Sequence, residues 1–249
     1  MTILKAEFLK IKRVWGLYIC YMFPVIITVL STFEILKKVH STNTINSISP
    51  LSSFYFQFFT TFSPIAILLI VFSLIQVENK NKMWESTVLL PVSKTKLYVS
   101  KHITGIFVVF VYMTLSYILY IISSGVLSQI FPQLSGLTLS DHAVLMNFFL
   151  RMFLVFILYT VIAIPIFIYV DSAIIALGIL MFGILLSLFL TQQKWYAYYP
   201  FSYHITVFNT FKSHYEVLKD KSFLMVMVYV VLSFIAGLYS FINLKTSKF

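Results

Sequence analysis

Residues 54–77 read FYFQFFTTFSPIAILLIVFSLIQV, an unbroken stretch without one charged side chain. As a helix rising 1.5 Å per residue it is about 36 Å long, enough to cross a hydrocarbon core of about 30 Å. Polar and apolar residues do not alternate within it as they would along a barrel strand. The stretch is therefore expected to cross a bilayer as an α-helix, whose backbone groups satisfy one another internally.

Five more segments of the same kind flank it, at 14–33, 103–128, 144–170, 172–190 and 223–243. Each approaches or exceeds the roughly 20 residues a spanning helix needs. Only Asp171 separates the fourth from the fifth, so that boundary has the least sequence support. There is no internal repeat, low-complexity tract or domain linker. The expected fold is an all-α integral membrane domain of six transmembrane helices covering residues 1–249.

Composition agrees. Of 249 residues, 60% are hydrophobic and 10% charged, against about half and a quarter in an ordinary soluble domain. The mean hydropathy is +0.94. Intrinsic disorder, a disulfide scaffold and a cytosolic enzyme are excluded. The net charge of +10 would suggest nucleic acid in a soluble domain. Here the bases sit between apolar runs, where membrane orientation and anionic lipid headgroups account for them without nucleic acid. The single cysteine, Cys20, falls in an apolar run and has no disulfide partner in the chain. Sixteen lysines against two arginines, with many Phe, Ile and Tyr, match an AT-rich bacterial genome.

The distribution of bases sets an expected orientation. The N-terminal bases Lys5, Lys10, Lys12 and Arg13 precede an apolar stretch with no small-x-small cleavage site, which reads as a retained first span and not a signal peptide. With the N-terminus inside, eleven Lys and Arg fall on the inner side and six on the outer. Both termini are expected in the cytoplasm.

Two inner segments are candidates for function. In residues 2–14, Leu4, Phe8, Ile11 and Trp15 share one helical face, with Lys5, Glu7 and Lys12 on others. This pattern is that of an amphipathic helix in the inner interface. Its role is either a surface anchor or an elbow that passes force to the first span. The inner loop 78–101 opens with Glu78, Lys80 and Lys82. A short helix is expected over 82–90, with Trp84 and Val88 on one face. Pro91 ends it, and Ser93, followed by Lys94, caps the next helix. Such a helix across the cytoplasmic face suits a soluble partner: Trp84, Val88 and Leu90 fill a groove while Glu85 and the lysines set register. A plain basic loop is the alternative.

Two stretches carry a family resemblance. Lys5-Ala-Glu-Phe-Leu-Lys-Ile-Lys-Arg13 and Trp84-Glu85…Leu89-Leu90-Pro91-Val92-Ser93-Lys94…Tyr98…Ser100-Lys101 resemble the permeases of the ABC-2 exporter superfamily. The resemblance runs nearest to six-span permeases that export lantibiotics or phenol-soluble modulins, or confer immunity to them. Tyr199-Pro200-Phe201-Ser202 is similar to a Tyr-Pro-Trp-Ser-like element of those permeases, with Phe201 in place of Trp. The resemblance implies a permease without a nucleotide site, working as a homo- or heterodimer. A separate ATPase that holds ATP and Mg docks on residues 78–94, and the substrate is an amphipathic peptide. In those permeases short extracellular helices occupy the place of Pro200 and Phe201 and close the outer gate, so the resemblance implies a gate here.

The absent motifs fit that division of labour. Gly178 and Gly183 have the glycine spacing of a phosphate-binding loop, but Ile184 follows where lysine is required. No His-Glu-x-x-His occurs, the histidines are dispersed, and no paired carboxylates stand at helical spacing, so neither catalytic nor metal-binding residues are identified. Charges inside spans are the remaining functional candidates. Arg151, about two turns into span four, either snorkels to the outer headgroups or contacts an anionic group in the pathway. Asp171 either makes the turn before span five or caps it, or it lines a gate or pathway. The pairs Ser172/Ala176, Gly183/Ser187, Ser233/Gly237 and Ala236/Ser240 suit close helix packing within the chain or at a dimer seam. In 191–222 the rings of Trp195, Tyr196, Tyr198, Tyr199 and Tyr203 suit an interfacial belt, and Pro200 suggests a re-entrant excursion. The expected function is the permease subunit of a bacterial ABC exporter in the plasma membrane, with a stand-alone channel or accessory protein as the alternative.

Overall fold

A computed structural model describes residues 3–12, 14–41, 49–80, 93–131, 142–170, 172–191, 193, 196, 198–213 and 221–243. The helices are α1 (Ile3–Ile11), α2 (Trp15–Cys20), α3 (Met22–Ser41), α4 (Ser49–Lys80), α5 (Lys94–Ile130), α6 (His142–Tyr169) and α7 (Ala173–Leu190). A 3-10 turn (Pro200–Ser202), α8 (Tyr203–Ser213) and α9 (Lys221–Ile242) follow. Among the described residues six helical stretches are long and apolar enough to span a membrane: Trp15–Lys37, Phe54–Val77, Lys94–Ile130, Leu145–Tyr169, Ala173–Leu190 and Leu224–Ile242.

The first span is two helices. Pro24 has no N–H to give the Cys20 carbonyl, so α2 stops at Cys20 and α3 starts at Met22. Pro64 and Pro165 withhold the same bond inside α4 and α6, yet both helices continue. Neighbouring helices support a backbone broken in this way. The third helix is longer than the predicted 103–128, running from Lys94 to Ile130. Lysine is a good helix former, so Lys94, Lys96 and Lys101 extend the helix and do not end it.

Two capping expectations need correction. Ser93 occupies the N-cap position of α5, but its side chain makes no capping hydrogen bond. Span five is capped by Ser172, whose Oγ accepts from the Ile175 N–H at 3.4 Å. The cap is thus one residue later than Asp171, which lies outside the described residues.

Helices α4 and α6 form the axis of the bundle: 56% of each spanning window is buried, against 17% for α9 and 28% for α7. Their contact is aromatic, with Phe56 4.4 Å and Phe59 6.2 Å from the Phe148 ring. Tyrosine hydroxyls tie α4 to α5: Tyr55 donates to the Ser116 carbonyl at 2.9 Å and Tyr112 to Ser63 Oγ at 3.0 Å. A hydroxyl buried in hydrocarbon needs such a partner. Two of the small-residue positions serve packing within the chain. A Cβ at Gly237 would run into the Tyr98 hydroxyl and the Pro165 ring, and one at Gly183 would lie 3.1 Å from the Phe201 ring.

Candidate functional site

The segment after α7 enters the bundle. Tyr159 lies ten residues before the end of α6 at Tyr169, and Gly183 ten residues after the start of α7 at Ala173. At 1.5 Å per residue both are about 15 Å from the α6–α7 turn, half the thickness of a hydrocarbon core. The Tyr199 hydroxyl donates to the Gly183 carbonyl at 2.9 Å, and the Tyr159 hydroxyl donates to the Phe201 carbonyl at 2.9 Å. The 3-10 turn Pro200–Ser202 therefore sits near mid-depth. From there α8 climbs back toward the end of the bundle where α6 begins, and Phe211 reaches the rings of Phe56 at 4.6 Å and Phe148 at 5.0 Å. The excursion expected from Pro200 is present.

Local chemistry explains the turn. Proline opens it, where its missing N–H is no loss. The buried Ser202 hydroxyl lies between the carbonyls of Tyr196 and Tyr199, which also accept the Tyr199 and Ser202 N–H groups, and so finds an acceptor within the turn itself. Tyr159 also lies 2.6 Å from His204 Nδ1. With the Tyr159 hydrogen given to Phe201, this contact makes His204 the donor through an Nδ1–H. His204 and Tyr159 are both buried, and among the described residues the groups that hold the turn are uncharged. The Phe201 ring fills the space between Tyr159 and Tyr199.

Sequence reasoning named Pro200 and Phe201 but missed Tyr159, His204 and the reason for Gly183. A tyrosine in mid-span and a histidine two residues past a proline-led turn were the available signals. The aromatic belt divides: Tyr198 is 62% exposed, whereas Tyr203 is buried. Trp195 lies outside the described residues.

At the other end, α1 packs along α5. The Phe8 ring meets Phe107 edge-on at 5.0 Å, Ile11 packs on the core, and Leu4 stays half-exposed. Trp15 does not continue that stripe: the extended backbone of Val14 resets the helical phase, and Trp15 is 82% exposed at the start of α2. Glu7, expected on another face, is turned inward. Its Oε1 is 3.0 Å from Lys10 Nζ and 3.5 Å from Lys101 Nζ, and both Glu7 and Lys101 are buried.

Of the predicted docking residues, Glu78 and Lys80 belong to the last turn of α4, and Ser93 and Lys94 open α5. Lys94 Nζ donates to the Ile242 carbonyl at 3.2 Å, tying the start of α5 to the end of α9. Lys82, Trp84, Glu85, Val88, Leu90 and Pro91 lie outside the described residues. The Arg151 side chain points back along α6 toward its start. It is buried, and its Nε donates to Asn147 Oδ1 at 3.0 Å, one turn away.

Six apolar helices, a re-entrant turn at mid-depth and no phosphate-binding loop define a multi-pass membrane transport component. The family model described as ABC-2 family transporter protein matches residues 3–194, and the chain belongs to that family. No curated protein and no solved structure matches it. The protein is a permease subunit of the bacterial plasma membrane. Its family lacks an ATP-binding cassette, which implies partnership with a separate ABC ATPase and a dimeric arrangement.

Proposed function

We propose that this chain forms half of the pathway of an exporter for amphipathic or antimicrobial peptides, serving toxin export, self-immunity or both. Both termini face the cytoplasm in this reading, following the excess of bases on that side. The partner ATPase, with its ATP and Mg, docks on residues 78–94 and drives the bundle between two packings. Family membership favours this ATPase-driven reading over a stand-alone channel.

The observation that carries it is the neutral plug at mid-depth. A turn held by Tyr159, Tyr199 and Phe201 offers rings and hydroxyls, not charges, to whatever passes. Membrane-seeking peptides suit such a pathway, because they partition into lipid with their apolar faces buried. When the ATPase closes, the turn withdraws from Tyr159 and Gly183 and the far end opens. The resemblance of Trp84–Lys101 and Tyr199–Ser202 to peptide-exporting permeases supports the same substrate class.

The test is to co-purify the chain from its host and replace Trp84 and Glu85 together by alanine. The expected result is that a Walker-motif ATPase accompanies the wild type, and that the double variant hydrolyses ATP without moving an amphipathic helical peptide into vesicles. Full coupling in the double variant would place the docking site elsewhere. Accumulation of polar solutes but no amphipathic peptide would overturn the substrate class.

A further inference from the structure

The Glu7–Lys101 pair lies at a depth where charge is expensive. Gly105 packs on Thr160, with Thr160 Cγ2 3.0 Å from where a Cβ would stand, and Thr160 adjoins Tyr159 at mid-depth. Lys101 is one turn from Gly105, about 6 Å nearer the α1 end, which keeps it within the roughly 15 Å half-thickness of the hydrocarbon. Ionisable groups there are rare and pair when they occur. Glu7 and Lys101 are 7% exposed each, and apolar Val71, Leu74, Ile75 and Ile164 wall the small cavity around them.

The pair also joins two particular elements. Lys101 is seven residues from the start of α5 at Lys94, so about 10 Å of continuous helix separates it from the proposed docking loop. Glu7 is the middle residue of α1. A second contact, Phe8 on Phe107, lies about 9 Å further along α5. An ion pair and a ring contact nearly two turns apart on α5 fix both the position and the angle of α1 on it. A surface anchor would require neither, because the apolar stripe alone would seat it in the interface.

We infer that Glu7 and Lys101 are positioning residues that clamp the elbow helix to α5, so that movement delivered by the ATPase to the start of α5 carries the elbow with it. The inference rests on the proposed docking of the ATPase at residues 78–94. In this arrangement α1 is a passenger of α5 and delivers the motion to α2 across the Val14 bend. The first span then moves without touching the ATPase itself.

The test uses the full permease–ATPase complex in nanodiscs and measures backbone hydrogen exchange with and without ATP plus vanadate. In the wild type, nucleotide should change exchange both at 94–101 and at 3–11. In Glu7→Gln the change at 94–101 should persist while that at 3–11 falls at least threefold. The charge swap Glu7→Lys with Lys101→Glu should restore it. A merely structural contact would not give this split between two segments. If Glu7→Gln does not assemble, Glu7→Met with Lys101→Met removes both buried charges together, leaving only the part-exposed Lys10 without Glu7, and is read in the same way. A full wild-type response at 3–11 in the pair-less variants overturns the clamp. So does a wild-type complex in which 94–101 responds and 3–11 does not, with the docking reading intact. Absence of any bound ATPase, or of a response at 94–101, overturns the docking reading itself.

Discussion

Two short elements enter the bundle without crossing it, and they are fastened in different ways. The elbow helix α1 is held by a buried ion pair, Glu7 with Lys101, backed by an edge-on ring contact. The turn Pro200–Ser202 is held by uncharged groups: Tyr159 to the Phe201 carbonyl, Tyr199 to the Gly183 carbonyl, and a ring between them. Depth accounts for the difference. At the midplane an ion has no water within reach in any conformation, so a charged fastener that opened would leave two bare charges. About 6 Å off the midplane toward the α1 end, long side chains can still reach toward the interface if the pair parts. Neutral hydrogen bonds each contribute only about 1 kcal/mol net and part readily. The arrangement therefore couples a firm joint on the elbow side with a releasable one at mid-depth.

The largest expected effect comes from breaking the firm joint. Lys101→Met leaves the buried Glu7 carboxylate with Lys10 as its remaining cation and should destabilise the α1–α5 contact by about 3 kcal/mol, the low end for a broken buried pair. Limited proteolysis within residues 3–12 should speed up while the remaining bundle resists. Unchanged cleavage would mean that the pair contributes nothing and that the two fasteners do not differ in strength.

Tyr159→Phe attacks the releasable joint. It removes the donor to the Phe201 carbonyl and the acceptor facing His204, at about 1–3 kcal/mol. Amide exchange over α8 should rise roughly tenfold for each ~1.4 kcal/mol lost. Exchange over α1 should not move. A parallel rise in α1 would show that the joints are one cooperative unit.

Gly183→Ala has the smallest effect of the three. Its Cβ would lie 3.1 Å from the Phe201 ring and 3.4 Å from the Tyr199 hydroxyl, so the turn must yield by a few tenths of an ångström. A loss of about 1 kcal/mol, read as a lower unfolding temperature with α8 exchange raised less than in Tyr159→Phe, is expected. A gain in stability would mean that the turn has slack at Gly183 and is not seated against α7.

The spans were legible in the sequence, because crossing a hydrocarbon core depends on length and hydropathy, which are local properties. All six were found, together with the elbow helix and the excursion at Pro200. Less legible were the details that need a partner. Ser172 caps α7 in place of Asp171, and Ser93 holds the cap position of α5 without using its side chain. Trp15 left the elbow stripe because periodicity does not survive the extended residue Val14. Arg151 meets Asn147, one helical turn nearer the start of α6, a partner that hydropathy alone does not name.

What the amino-acid sequence determined by itself is therefore the class: six apolar helices, an amphipathic N-terminal segment, and the motif resemblance to a family of permeases. Hydropathy and motif spacing are read along the chain and need no knowledge of neighbours. Only the tertiary structure decided which of the few polar groups meet. Glu7 lies ninety-four residues from Lys101, and Tyr159 forty-two from Phe201. No periodicity spans such distances; each pair is brought together by helices packing side by side, and a polar group inside a membrane must find its partner there.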